Sequence, residues 1–361
     1  MAADPPQSRP QLPAPRENPE LVGHEAAEGR LLEAWARGRL GHAWMISGPR
    51  GIGKATLAYR LARARLAAAP GGAVPASLAL APDHPVFRRV AAASHAGLCV
   101  VERSHNEKTG RLRNEIVVPD VRRLIAFMHL SAGEGGWRIA VIDSADELNR
   151  HAANALLKVL EEPPERTLLV LVVHALGRVP ATLRSRCAKL ELRPLGEAAI
   201  AELLARHWPQ LEADERRALA RLAEGSAGRA LGLAATGGLE LYREMITLLD
   251  GLPRLEVPQL HAFAERLGRQ SAEPAYRTLT ALLESWIARL VRAAAGAPVP
   301  EVVAGEGALM ARLAAAGDLD QWLEVWEKIA RLFPNADSVN LERKQVLLSA
   351  FTSLESVGRG G

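Results

Sequence analysis

Short apolar runs alternate with helix-period segments over the first half of the chain, and the alternation stops near residue 195. The runs Ala43–Ser47, Leu98–Glu102, Arg138–Asp143 and Leu168–Val173 are almost continuously apolar in their interiors, the pattern of strands buried on both faces. Helical segments such as Thr56–Arg63 and Ala152–Glu161 separate them, the second stopping before the double proline Pro163-Pro164. This alternation predicts a parallel α/β sheet from about Leu21 to Pro194. Ala67–Pro85, rich in Ala, Gly and Pro, reads as a surface loop or insertion. Beyond Leu195 no strand is expected. Glu197–Arg206, Ala213–Ala223 and Gly228–Ala235 read as three short helices, and Gly237-Gly238 marks a boundary. From Leu239 to Val357 the pattern is helical throughout, with apolar positions at Trp322, Val325, Trp326, Ile329 and Leu332-Phe333. Aromatic residues at that spacing are read as helix packing. Met1–Glu20 is Pro-rich and polar, and is expected to be a disordered tail. The division predicted is therefore 1–20, 21–194, 195–236 and 237–361.

Composition narrows the class. With 361 residues, 48% of them hydrophobic, the chain can bury more than one core. The formal net charge of +4 is a weak basic balance, compatible with nucleic acid nearby but no argument for it. Two cysteines, Cys99 and Cys187, supply neither a disulfide framework nor a four-thiolate zinc site. No apolar run reaches membrane-spanning length, and the N-terminal stretch lacks an apolar signal core. A cytoplasmic protein is expected.

The chemistry begins at Gly48-Pro49-Arg50-Gly51-Ile52-Gly53-Lys54-Ala55. The pattern G-x-x-x-x-G-K-[ST] turns backbone N–H groups toward phosphates, brings a Lys to the β and γ positions, and ends on a hydroxyl for Mg²⁺. Gly48, Gly51, Gly53 and Lys54 match, Thr56 opens the following helix, and Ala55 replaces the hydroxyl by a methyl. The run of strand, Gly-rich turn and helix is the context this motif requires. Only six of the 45 basic residues are Lys, so Lys54 stands where a compact ammonium is wanted. A second element follows about ninety residues later. The strand Arg138–Asp143 ends on a carboxylate that would lie beside the Mg²⁺ site. The next residue, where an active ATPase carries a water-orienting Glu, is Ser144. Asp146 is expected to cap the helix after it.

Leu156–Pro164 and Ser185-Arg186-Cys187 together resemble the clamp-loader branch of the AAA+ ATPases. The likeness runs from about Gly23 to the C-terminus, and is reinforced by His84–Arg89, Gly135–Arg138 and Asn340–Lys344. It implies a RecA-like α/β AAA+ domain, a small helical lid and an all-α collar that joins five subunits in a ring. It also implies that Arg186 is an arginine finger, acting in trans on the γ-phosphate held by a neighbour. ATP would sit on Gly48, Gly51, Gly53, Lys54, Ala55, Thr56 and Asp143, bound weakly or without turnover, and Mg²⁺ only with the nucleotide. The zinc module of many relatives is not expected, because Ala67–Leu98 contains no Cys. The resemblance places sensor 1 near Val173-His174 and sensor 2 at Gly228, with Arg229 one step, about 100°, further round the helix. A missing hydroxyl, a missing Glu and two altered sensors beside a retained Arg186 fit a stator subunit of the bacterial DNA polymerase III holoenzyme. Such a subunit would work with gamma/tau motor subunits and a delta subunit to load a sliding clamp on primed DNA, with no membrane partner. Two other readings stand: a self-sufficient AAA+ ATPase (a motor subunit or helicase loader), and a DNA-binding module using the Arg-rich surface.

Overall fold

The structure is a computed structural model and describes residues 13–69, 72–106, 109–130, 136–339 and 341–358. It divides into two units: one of residues 12–199 with 225–228, the other of residues 200–224 with 229–361.

In the first unit the chain runs α1 (Glu25–Ala36), β1 (Ala43–Ser47), α2 (Lys54–Ala67), α3 (Pro85–Ala91), β2 (Leu98–Val101), α4 (Val118–His129), β3 (Arg138–Asp143), α5 (Arg150–Glu161), β4 (Thr167–Val173), α6 (Ala181–Arg184) and β5 (Ala188–Glu191). All five strands are parallel, in the order β2-β3-β4-β1-β5. The expected parallel α/β sheet with flanking helices is thus present. Its central strand β4 is buried at every position. Leu168, Val170 and Val172 point into one core with α1 and α2, while Leu169, Leu171 and Val173 point into the other with α4 and α5. Two-sided burial is why this strand reads as an unbroken apolar run. β5 was not expected. It is an edge strand in which only Leu190 is buried, so its sequence lacks a hydrophobic run.

Residues 13–20 correct the expected tail. Arg60 and Arg63 of α2 are buried, and their guanidinium groups hold this segment by its carbonyls. Arg63 donates to Arg16 O (3.2 Å) and Asn18 O (2.8 Å), and Arg60 to Pro19 O. The Arg63 guanidinium also lies 4.4 Å from the Phe87 ring centre. Residues 1–12 of the predicted tail lie outside the described residues.

The rest of the described chain is helical: α7 (Glu197–His207), α8 (Ala213–Leu222), α9 (Ala227–Thr236), α10 (Gly238–Asp250), α11 (Val257–Gly268), α12 (Glu273–Ala294), α13 (Glu306–Ala316), α14 (Leu319–Val339) and α15 (Arg343–Gly358). Within the second unit, α12 packs against α10, α13 and α14, and α11 against α15. Trp286 and Trp322 are fully buried, as helix-packing aromatics should be; Trp326 stays over a third exposed. One polar group crosses this core. Glu306 is 0% exposed and accepts hydrogen bonds from Arg289 Nη1 (2.7 Å), Val302 N (2.7 Å) and the Tyr242 hydroxyl.

Candidate nucleotide site

The C-terminal ends of β1, β3 and β4 meet at the loop 48–54. Gly48 sits at φ 143°, and a Cβ there would lie 2.4 Å from Leu192 O, so only glycine lets β1 turn into the loop. Gly53 ends the turn as the N-cap of α2. Four free backbone N–H groups at such a helix start attract anions. His24 braces the loop from α1, its ring Nε2–H donating to Ile52 O at 2.6 Å. Arg50 is tied to Glu147 (2.6 Å), which also pairs with Arg103 (2.9 Å). His24, Glu147 and Arg103 were not anticipated, because a brace leaves no spacing pattern in the sequence.

Lys54 is the first residue of α2 and is 2% exposed. Its ammonium turns back to donate to Pro49 O in the same loop. Burial lowers its pKa from 10.5 to about 8, against the pull of the Asp143 and Asp146 carboxylates. Asp143 closes β3, and burial raises its carboxyl above the usual range, opposed by the Ser144 hydroxyl, which donates at 3.3 Å. Ala55 packs its methyl toward the core shared by α1 and α2, and Thr56 is buried in the same turn. The glycine-rich turn and its lysine thus take the arrangement the motif predicts, with the Ala55 methyl where the motif has a hydroxyl. Among the described residues no cluster of His, Cys, Asp and Glu could hold a metal ion.

Asp146 does not cap α5. Asn149 does, its Oδ1 accepting from Ala152 N at 2.9 Å. Asp146 instead accepts from His174 N (2.8 Å) and Ala175 N (3.1 Å), fastening the end of β4 to the turn 145–147. Where the resemblance expects the first sensor, Val173 is buried in the sheet opposite Ser47. His174 is held neutral: burial, then Lys54 and Arg50, bring its pKa down to about 4. Its Nδ1 is buried with no hydrogen-bond partner among the described residues. Where the resemblance expects the second sensor, Gly228 donates its N–H to Gly51 O at 2.8 Å. A Cβ on Gly228 would come within 3.3 Å of Gly51 Cα, so a glycine backbone closes on the loop where an arginine side chain was sought. Arg229 pairs with Glu224 at 3.4 Å.

Arg186 is apart from all of these. It precedes β5, whereas the loop lies beside Leu192, just past the other end of that strand. At about 3.3 Å per residue, Ala188 to Leu192 alone spans roughly 13 Å. Arg186 is 36% exposed in its side chain, pairs with Glu161 at 2.6 Å and donates to Thr182 O at 2.9 Å. The structure thus brings Lys54, Asp143, Thr56 and the glycines together, and leaves Arg186 at the opposite end of the sheet.

Residues 23–196 match the family model described as DNA polymerase III, delta subunit. DNA polymerase III subunit delta′ of Pseudomonas aeruginosa is 33% identical over 63% of this chain and 65% of its own length. DNA polymerase III subunit gamma of Buchnera aphidicola subsp. Schizaphis graminum is 25% identical over 69% of this chain and 66% of its own. DNA polymerase III subunit tau of Escherichia coli is 31% identical over 64% of this chain and 35% of its own. The chain spans less than two thirds of the length of each of these relatives. No helix among the described residues is long and apolar enough to cross a membrane.

Proposed function

We propose that the chain serves as a delta′-type, non-motor member of the DNA polymerase III clamp-loader family, whose delta-subunit model residues 23–196 match. In this reading it joins gamma/tau motor subunits and a delta subunit in a five-membered ring, where it supports ATP-driven loading of the sliding clamp on primed DNA. Arg186 is its catalytic contribution, stabilising charge on a γ-phosphate that another subunit holds. The observation that carries this is the separation of Arg186 from the chain's own loop by the length of β5. A guanidinium at that end of the sheet has no role at its own phosphate site. The changes around the loop point the same way: Ala55 offers no Mg²⁺ ligand, Ser144 no base, Val173 no polar group, and Gly228 no cation. ATP, if held, would rest on the loop amides and Lys54 without being turned over, with Mg²⁺ only through the nucleotide. The lid and collar division at residues 195–236 and 237–361 belongs to the same proposal.

The likeness to gamma and tau, with Lys54 intact, favours a motor subunit as the second reading. Two measurements separate them. The purified chain should show no steady ATP hydrolysis; hydrolysis that disappears with Lys54→Ala would establish the motor reading instead. In a ring reconstituted with motor and delta subunits, Arg186→Ala should leave assembly intact and slow DNA-stimulated hydrolysis at the facing site by a factor on the order of 10³. An unchanged rate removes Arg186 from the mechanism.

A further inference from the structure

At the N-terminal end of the sheet, away from the phosphate-binding loop, a cleft of about 550 Å³ opens between α1, the last turn of α2 and the starts of β1, β3 and β4. Its central group is Arg65. The guanidinium carbon lies 3.7 Å from the ring centre of Trp137 and 4.7 Å from that of Trp35, so two indoles hold it in place. Among the described residues no carboxylate pairs with it. Its Nε is buried without a hydrogen-bond partner, and so is His42 Nε2 on the same wall. Arg166 also lines the cleft, and among the described residues no Asp or Glu lines it. Burial alone holds the Arg65 pKa below its ordinary value, which agrees with the absence of a neighbouring acid among the described residues. Arg65 is half-buried and its Nε is withdrawn from water with no anion beside it, whereas the fully buried arginines of this chain meet carbonyls or carboxylates.

We propose that this cleft binds a carboxylate side chain of an acidic peptide segment on a partner protein. The two indoles fix the planar fork of Arg65, which suits bidentate capture of a carboxylate. Arg65 lies over both rings, so the faces it covers are closed to a stacking base, which disfavours single-stranded nucleic acid. One guanidinium balances one carboxylate charge, whereas a phosphate monoester brings close to two negative charges. The cleft is far larger than a carboxylate needs. Its rim at Pro163 and Pro164, fixed by the Thr167 hydroxyl bonded to Pro164 O at 2.6 Å, leaves apolar room for residues flanking the acid.

The test uses the full chain and a fluorescein-labelled peptide of six glutamates, with six glutamines as its counterpart, followed by anisotropy. Saturable binding of the glutamate peptide alone is expected, weakened at least tenfold by Arg65→Gln and about fivefold by Arg65→Lys, which keeps the charge without the fork. If Arg65→Gln does not fold, Arg65→Lys decides. No binding at millimolar peptide, equal binding of both peptides, or parental affinity in Arg65→Lys would overturn the proposal. So would displacement of the peptide by inorganic phosphate at lower concentration than by acetate, or tighter capture of an oligothymidylate that Arg65→Gln abolishes.

Discussion

Replacing Lys54 by Met should make the protein more stable at neutral pH, although it removes the loop's lysine. Lys54 is 2% exposed and its pKa falls from 10.5 to about 8. At about 1.36 kcal/mol per pH unit, that gap means that burying the charge costs about 3 kcal/mol. The unfolded chain keeps this proton up to about pH 10.5, while the folded chain releases it above about pH 8. Between those values the unfolded state binds more protons, so this group makes stability rise with pH, and below about pH 8 the full penalty stands. Met removes the penalty and loses the hydrogen bond to Pro49 O, a loss of about 1 kcal/mol. The net expectation is about 2 kcal/mol of added stability at pH 7, shrinking as pH rises above about 8 and changing sign between about pH 9.5 and 10, short of where the unfolded lysine loses its proton. Guanidinium denaturation of both proteins at a series of pH values from 7 to 10 measures the difference, and other titrating groups cancel in the comparison. A Lys54→Met protein less stable than the parent at pH 7, or a gap that does not change with pH, would refute the reasoning.

In the helical unit, Glu306→Ala strands the buried Arg289 guanidinium and should cost about 3–5 kcal/mol; a cost below 1 kcal/mol in urea denaturation would show that Glu306 is not compensating that charge. In the α/β unit, Gly48→Ala sets a Cβ against Leu192 O at φ 143°. It should cost about 3 kcal/mol and, in a thermal melt, unfold well below the parent.

The parallel sheet was legible because β1, β3 and β4 are buried on both faces and so are nearly uniform in hydrophobicity. The loop was legible because its glycines stand at fixed spacing. β5 was not, since an edge strand with Lys189 and Glu191 facing water resembles a turn. Asp146 was misassigned because a carboxylate just ahead of a helix has the signature of a cap, while its true partners, the amides of His174 and Ala175, are 28 and 29 residues away. Gly228 stands where the resemblance expects an arginine, and its hydrogen bond to Gly51 is a backbone event that no residue pattern announces. The Arg65 cleft escaped for a related reason: Trp35, Arg65 and Trp137 are remote in sequence and meet only through the sheet.

The segment held by Arg60 and Arg63 redraws the edge of the smallest piece that can fold. By composition the cut falls after Glu20, where the Pro-rich stretch ends. A chain cut there would keep Arg63, 1% exposed, and remove both carbonyls that receive its hydrogen bonds. Arg60 would keep Glu28 and lose Pro19. Those acceptors lie between residues 16 and 19, so the self-sufficient unit begins ahead of them, within a stretch whose sequence looks expendable.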